Sequence, residues 1–269
     1  MFKGLEEMCP EIIVLMGNFL SKENNDVHPT EKLRHHFESL GHMIRQNDLA
    51  CLRDQTQWII MGSQQDAGIC QIMPNLKFSE HLLENFKGHG PSRIKKVTVA
   101  TNPMRMSYRG KEMVFCRYNY FKKIKRNHIE RFEAQQETQR EQERSSSSEE
   151  PKFDIPDTFR IAKTILHQGS LMPLAPIVQP IMWAYGDALH LYPHPDFLVL
   201  ADECEDYHYH IPVNGHKTSY HDVSKLGNED MNDELKTVTV INPGNFGLDR
   251  SFTVVYPLRN EVQPSKVPM

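Results

Sequence analysis

No stretch of this chain of 269 residues holds about 18 consecutive apolar residues, the length a helix needs to cross a bilayer. The amino end has no basic leader followed by an apolar centre, and no Asn-x-Ser/Thr acceptor occurs. Cysteine is sparse: Cys9, Cys51, Cys70, Cys116 and Cys204 are scattered without a Cys-x-x-Cys pair. That excludes a zinc knuckle and favours reduced, mostly buried thiols over a disulfide framework. Positive charge is also short, with 31 Lys and Arg against 35 Asp and Glu and a net charge of -4. A protein whose main task is gripping phosphate backbone needs clustered cations, so contact with DNA is expected to be weak or indirect. These absences give the expectation of an intracellular, soluble protein with no membrane partner. A hydrophobic content of 39% is enough for one sizeable core, and a single domain is expected.

Three short apolar runs carry the first positive signal. Ile12-Ile13-Val14-Leu15-Met16 stops at Gly17-Asn18-Phe19, and Trp58-Ile59-Ile60-Met61 stops at Gly62-Ser63-Gln64-Gln65-Asp66. Phe197-Leu198-Val199-Leu200 stops at Ala201-Asp202-Glu203-Cys204. Runs that end at Gly or polar residues read as buried strands, and α/β folds carry their sites on loops beyond such strand ends. The frame resembles that of calcineurin-like metallophosphoesterases, which place Asp-x-His, Gly-Asp, Gly-Asn-His-Asp/Glu and Gly-His-x-His at successive strand ends. Two divalent ions about 4 Å apart need carboxylate oxygen and imidazole nitrogen. Here Gly17-Asn18 stands for Gly-Asp, Gly62-Ser63-Gln64-Gln65 offers neutral amides, and Ala201-Asp202-Glu203-Cys204 has no histidine. No metal, cofactor or catalytic residue is expected at such a site.

Between these landmarks lie Thr101-Asn102-Pro103-Met104-Arg105-Met106, then Lys163 to Gly169 followed by Leu171-Met172-Pro173-Leu174. Trp183-Ala184-Tyr185, Tyr192 to Asp196 and Ile241-Asn242-Pro243-Gly244-Asn245-Phe246 follow. In order and spacing these stretches, with Val14 to Phe19, resemble the family of B subunits (second subunits) of eukaryotic DNA polymerase epsilon. The likeness spans Val14 to about Tyr256. It implies an inactive phosphoesterase fold: α/β, a β-sandwich with flanking helices. It also implies a scaffold for the polymerase's catalytic subunit, contacting that subunit's cysteine-rich carboxyl-terminal region and other replisome subunits in the nucleus. Family members carry a helical domain, an OB-fold domain and an opening strand at the amino end. None of these is expected here, so residues 1–269 read as a phosphoesterase domain shortened at its amino end. Asn102-Pro103 and Asn242-Pro243-Gly244 are expected to fix loop geometry through Asn side-chain hydrogen bonds and Pro-set backbone angles.

Elsewhere, Leu33, Phe37, Leu40, Ile44 and Leu49 fall near helical spacing, predicting one helix over Thr30 to Cys51 with Thr30 as its cap. His35, His36 and His42 read as its solvated face. A short helix is predicted over Ser79 to Phe86. Val97-Thr98-Val99 and Met113-Val114-Phe115 read as strands around a turn at Tyr108-Arg109-Gly110. A helix from Ile161 to Leu166 stops at Gly169, and strands follow at Val238 to Ile241 and finally Ser251 to Tyr256.

Arg93, Lys95 and Lys96, then Lys122, Lys123, Lys125 and Arg126 among Tyr118, Tyr120 and Phe121, are cationic. Aromatics among cations can stack single-stranded DNA, but an ordinary charged surface over buried rings is the preferred reading. Residues 133–152 hold no large apolar residue and end in Ser145 to Ser148 beside acids, which reads as a disordered insertion open to phosphorylation. Residues 205–233, with His208, His210, His216 and His221, read as a second, His/Asp-rich loop insertion without a finger-like metal spacing. An active phosphodiesterase or nuclease recruiting Asp66, Asp202, Glu203 and a histidine such as His167 is the alternative function. Trp183, Tyr185 and Phe246 are candidate anchors for a partner, with core packing as the competing reading.

Overall fold

The computed structural model describes residues 2–20, 28–46, 49–127, 155–213 and 236–267. Strands β1 (Ile12–Met16), β2 (Gln57–Met61) and β3 (Val97–Ala100) form a parallel sheet in that order. A second sheet holds β4 (Met104–Tyr108), β5 (Lys111–Arg117), β6 (Phe197–Ala201), β7 (Tyr207–Pro212) and β8 (Thr237–Asn242), in the order β4-β5-β6-β8-β7. Its centre, β5-β6-β8, is parallel and its edge strands β4 and β7 are antiparallel. A ribbon of β9 (Ser251–Tyr256) and β10 (Glu261–Lys266) stands apart.

Alternation along the strands assigns the layers. In β5 and β6, Met113, Phe115, Phe197 and Val199 share one apolar cluster with Ile59, Met61 and Ala100 of the first sheet. The sheets therefore face each other across these side chains. Val114, Cys116, Leu198 and Leu200 point the other way. They pack under α5 (Tyr120–Arg126) and α6 (Asp157–Gln168). On the outer face of the first sheet, Trp58 and Ile60 meet Leu33, Phe37 and Ile44 of α2 (Pro29–Gln46) and Leu52 of α3 (Ala50–Asp54). Burying each such side chain is worth about 1.5–3 kcal/mol. The result is an α/β fold of two central sheets with helices on both outer faces.

Local chemistry explains the boundaries. Helix α6 buries Phe159, Ala162, Ile165 and Leu166 at 3–4-residue spacing, carries Asp157 in its first turn and ends at Gly169. Gly169 has φ 61°, a left-handed conformation that glycine adopts without steric cost, and its N–H closes the last turn. The 3-10 turn Glu80–Leu83 runs into α4 (Glu84–Lys87), where the sequence predicts one short helix.

Five expectations are corrected. The helix predicted over Thr30 to Cys51 is two, α2 and α3. The turn at Tyr108-Arg109-Gly110 joins β4 to β5, with β4 running from Met104 to Tyr108 where no strand is predicted, while β3 lies in the other sheet. Residues 207–212, expected within a loop insertion, form β7: Tyr207 and Tyr209 alternate with His208 and His210, and both tyrosines pack on the core. The chain does not end in strand at Tyr256, since β10 follows; its Pro264 is tolerated in a two-stranded ribbon. Cys9 and Cys51 are joined as a disulfide with Cα atoms 5.8 Å apart, because α1 (Phe2–Met8) ends beside α3. Cys70, Cys116 and Cys204 are free thiols. Residues 133–152 and His216 and His221 lie outside the described residues.

Candidate functional site at the strand ends

The carboxyl ends of β1 and β6 meet at one side chain, Arg117, the last residue of β5, and the loops after β2 and β8 flank it. Its guanidinium is buried and donates to four neighbours. Nε reaches the Gly17 carbonyl at 2.5 Å beyond β1, and Nη1 reaches the Ala201 carbonyl at 3.0 Å in β6. Nη1 also meets Asn119 Oδ1 at 2.7 Å, and Nη2 lies 3.4 Å from Glu203 Oε1. Its backbone is clasped as well: Asn102 accepts from the Arg117 N–H at 3.0 Å and donates to the Arg117 carbonyl at 2.9 Å. A planar five-donor cation suits a set of carbonyls and a carboxylate arranged around it.

The β1 and β2 loops are stitched beside it. Asn18 Nδ2 donates to Gln65 Oε1 at 2.9 Å and to Glu203 Oε1 at 3.1 Å. Ser63 Oγ lies 2.5 Å from Asn18 Oδ1 and 3.0 Å from Asp66 Oδ2, sharing one proton between them. Asp66, 4% exposed, accepts from the amides of Phe19 at 2.7 Å and Ser63 at 2.8 Å. Gly17 is required here: a methyl on it would overlap the Asp66 carboxylate and lie 3.0 Å from the Ser63 nitrogen.

Across the site, Asp202 accepts from the amides of Phe121 at 2.6 Å and Glu203 at 2.7 Å. Asn242, at the end of β8, accepts from the Asp202 amide at 3.1 Å and donates to the Cys204 and Glu205 carbonyls at 3.2 and 2.9 Å. Pro243 and Gly244, the latter at φ 76°, turn the chain away from it, and Asn242 Oδ1 also accepts from Gly244 N at 3.3 Å. Cys204 is half-buried and burial pushes its thiol up to about 12, so it is no nucleophile at neutral pH.

Burial also pushes Asp66 and Asp202 above the ordinary carboxylate value of 3.8, outweighing their amide donors and the attraction of Arg117. A carboxyl raised in the folded state holds its proton more tightly there than in the unfolded chain. Its contribution to stability is full below the unfolded pKa and is lost as pH rises through the folded one. An Asp202→Asn variant is therefore expected to lose less stability than the parent as pH rises above the ordinary carboxylate value. Urea unfolding at a series of pH values measures this, and parallel curves would contradict it.

The arrangement brings together Gly17, Asn18, Ser63, Gln65, Asp66, Ala201, Asp202, Glu203 and Asn242. It leaves out Gln64, whose amide turns to the Gln71 carbonyl, and Gly62, which lies against the Phe78 ring. Asn102 joins the site from behind, with Asn75 at 3.2 Å, and Pro103 follows it into β4. His167 lies at the exposed end of α6, and no histidine takes part in the hydrogen bonds of the strand-end cluster among the described residues. Nor do three or more His, Cys, Asp or Glu there form a group able to hold a metal ion. Arg117 is absent from the residues the sequence singles out, although it carries a signal, a lone cation closing the apolar run Met113 to Cys116.

Beside the cluster lies an open groove of about 870 Å³ between α5 and residues 202–205. Lys122, Lys125 and Arg126 line one wall and Asp202, Glu203 and Glu205 the other. Of the neighbouring rings, Tyr118 and Tyr120 are buried, with Lys123 over the Tyr118 ring, while Phe121 lines the groove beneath Lys125.

A family model for the B subunit of DNA polymerase alpha/epsilon matches residues 1–209. The chain is 29% identical over 261 residues to the DNA polymerase epsilon B subunit of Arabidopsis thaliana, covering 96% of this chain and 40% of that relative. It is 29% identical over 269 residues to DNA polymerase epsilon subunit 2 of Drosophila melanogaster, and 28% over 268 residues to that of Homo sapiens. The chain spans about two fifths of the length of these curated relatives, 40% in the first and 41% in the other two. With the family model covering well over half of its residues, the chain belongs to the DNA polymerase alpha/epsilon B-subunit family.

Proposed function

We propose that this chain is a non-catalytic accessory subunit of a nuclear DNA polymerase epsilon complex, holding the cysteine-rich carboxyl-terminal region of the catalytic subunit. One observation carries the reading: the converging strand ends are filled by the chain's own cation, Arg117, hydrogen-bonded on three sides. Such a site resembles a calcineurin-like phosphoesterase centre in which a guanidinium and neutral amides stand where metal ligands would be. It has a buried cation of its own beside the carboxylates, and among the described residues no group of three or more His, Cys, Asp or Glu able to hold a metal ion. The names of the relatives supply the polymerase context.

The surface offers the other half of the argument. Trp183 is 75% exposed, Tyr185 59% and Tyr192 85%, with Ile177 and Leu76 also in solvent. The backbone ties Met73 to Ile181 and Met182, so the Leu76 loop and the Trp183 turn sit side by side. Of the candidate anchors, Trp183, Tyr185 and Phe246 are all exposed rather than packed in the core. Large rings left in water favour burial against a partner. Co-expression with the catalytic subunit's cysteine-rich region, read by size exclusion, tests the reading. A stable complex without manganese-dependent phosphodiester hydrolysis is expected. A folded chain that stays alone, or one that hydrolyses the phosphodiester, would overturn it.

A further inference from the structure

Cys9 and Cys51 are bonded while Cys70, Cys116 and Cys204 are free, so the disulfide stands alone rather than within a framework of staples. Both halves of the pair are placed by the first sheet. Thr56 Oγ1 donates to the Pro10 carbonyl at 2.8 Å and Gln57 N to the Glu11 carbonyl at 2.8 Å, which lays the entry to β1 along the entry to β2. The Cys51 carbonyl accepts from Gln55 N at 2.8 Å and Thr56 N at 3.1 Å, and Trp58 Nε1 donates to the Leu52 carbonyl at 2.8 Å. Cys9 is thus positioned by the residues that follow it, and none of these bonds uses a sulfur. The Cα separation of 5.8 Å, the preferred span of a disulfide, is set by the backbone around the pair.

The two sulfurs differ in their surroundings. Cys51 is 9% exposed, and the Glu6 carboxylate accepts from the Cys51 and Leu52 amides at 2.7 and 3.0 Å. Cys9 is half-buried, and its backbone sits at φ 44°, in the left-handed region that residues other than glycine occupy at a cost. Helix α1 buries no residue, and Phe2 and Leu5 pack only in part on the cluster under α2. Its hold on α3 therefore rests on Glu6, those two side chains and the bond at Cys9.

We propose that Cys9 and Cys51 form a reversible thiol–disulfide couple, a modification site for small thiols and disulfides of the glutathione class, whose state sets how firmly α1 is held to α3. A glutathione thiolate attacks the more exposed Cys9 sulfur, the S–S bond breaks, and Cys51 leaves as a thiolate that takes up a proton. A second glutathione thiolate attacks the mixed disulfide, forming glutathione disulfide and releasing Cys9, which is protonated in turn. Net, two glutathiones give two electrons and two protons to the pair, and the reverse sequence closes it. Because the backbone keeps the sulfurs facing each other, closure is intramolecular and outruns lasting capture of Cys9 as a glutathione adduct. Relaxation of the Cys9 backbone and release of α1 favour the open form. Two opposing tendencies of this kind suit a couple that responds to its surroundings rather than a permanent staple.

The full chain, equilibrated in glutathione buffers from mostly reduced to mostly oxidised, is quenched in acid, alkylated and read by peptide mass spectrometry. The Cys9–Cys51 cross-link is expected to form and vanish within that series while the chain stays folded. On reduction, exchange of the Cys9 amide, which donates to the Leu5 carbonyl, is expected to quicken at least about 10-fold, while the Trp58 amide in β2 keeps its rate. Cys51→Ser should show the quick exchange in the oxidised buffer as well. A bond that persists in excess reduced glutathione until the chain unfolds, or thiols that stay free in excess glutathione disulfide, overturns the proposal. So does a stable glutathione adduct on Cys9, or an α1 whose exchange ignores the state of the pair. Should Cys51→Ser fail to fold, the parent chain in the two buffers still decides.

Discussion

Arg117→Ala is expected to lower the unfolding free energy by about 3–5 kcal/mol, the cost of removing one member of a buried charged network. The side chain of Arg117 is 8% exposed and that of its partner Glu203 29%, so solvent replaces little of what is lost. The Gly17 and Ala201 carbonyls would each lose a donor, and Asp66, Asp202 and Glu203 would lose their shared cation. Arg117→Lys should recover less than half of the loss, because an ammonium cannot reach two strand ends, Asn119 and Glu203 from one point. Urea titration of the three proteins measures this. A loss below about 1 kcal/mol for the alanine variant would mean that the cation is not what ties the sheets together at this end.

The second large effect lies on the surface. If the proposed partner is the one bound, Trp183→Ala combined with Tyr185→Ala is expected to weaken its binding by at least about 30-fold, or 2 kcal/mol, as for an aromatic hot spot. Since both rings stand in solvent, stability should change by no more than about 0.5 kcal/mol. Titration calorimetry and thermal melting on the same preparation separate the two quantities. Unchanged affinity would move the docking face elsewhere, with Phe246, Leu248, Tyr256 and Leu258 the next exposed apolar group.

What is legible in the sequence follows its periodicity. The runs at Ile12, Trp58 and Phe197 announce β1, β2 and β6, and Gly169 announces the end of α6. Strand β7 is obscured because its histidines suggest metal chemistry and mask the alternation with Tyr207 and Tyr209. Strand β4 alternates Met104, Met106 and Tyr108 with exposed Arg105 and Ser107, a short period-2 signal with no continuous apolar run to draw attention to it. Of the site, the loops are legible and their centre is not. Asn18, Ser63, Gln65 and Glu203 follow directly from apolar runs, whereas Arg117 sits 100 residues from Gly17, and only the fold places them 2.5 Å apart. The exposure of Trp183 is beyond reach for a related reason: a lone tryptophan has no period, and whether it faces core or water depends on the bridge from Met73 to Ile181.

The passage from β3 to β4 has a mechanical consequence. Only Thr101, Asn102 and Pro103 separate the last residue of one sheet from the first of the other, and the Asn102 amide is locked to Asn75 on one side and to the Arg117 backbone on the other. Sheets joined by so short a pinned crossing cannot shear past one another without breaking several hydrogen bonds together. Under load the two layers should respond as one stiff plate, so that a pull on the Trp183 side is felt at the α2 side as displacement rather than absorbed as internal strain.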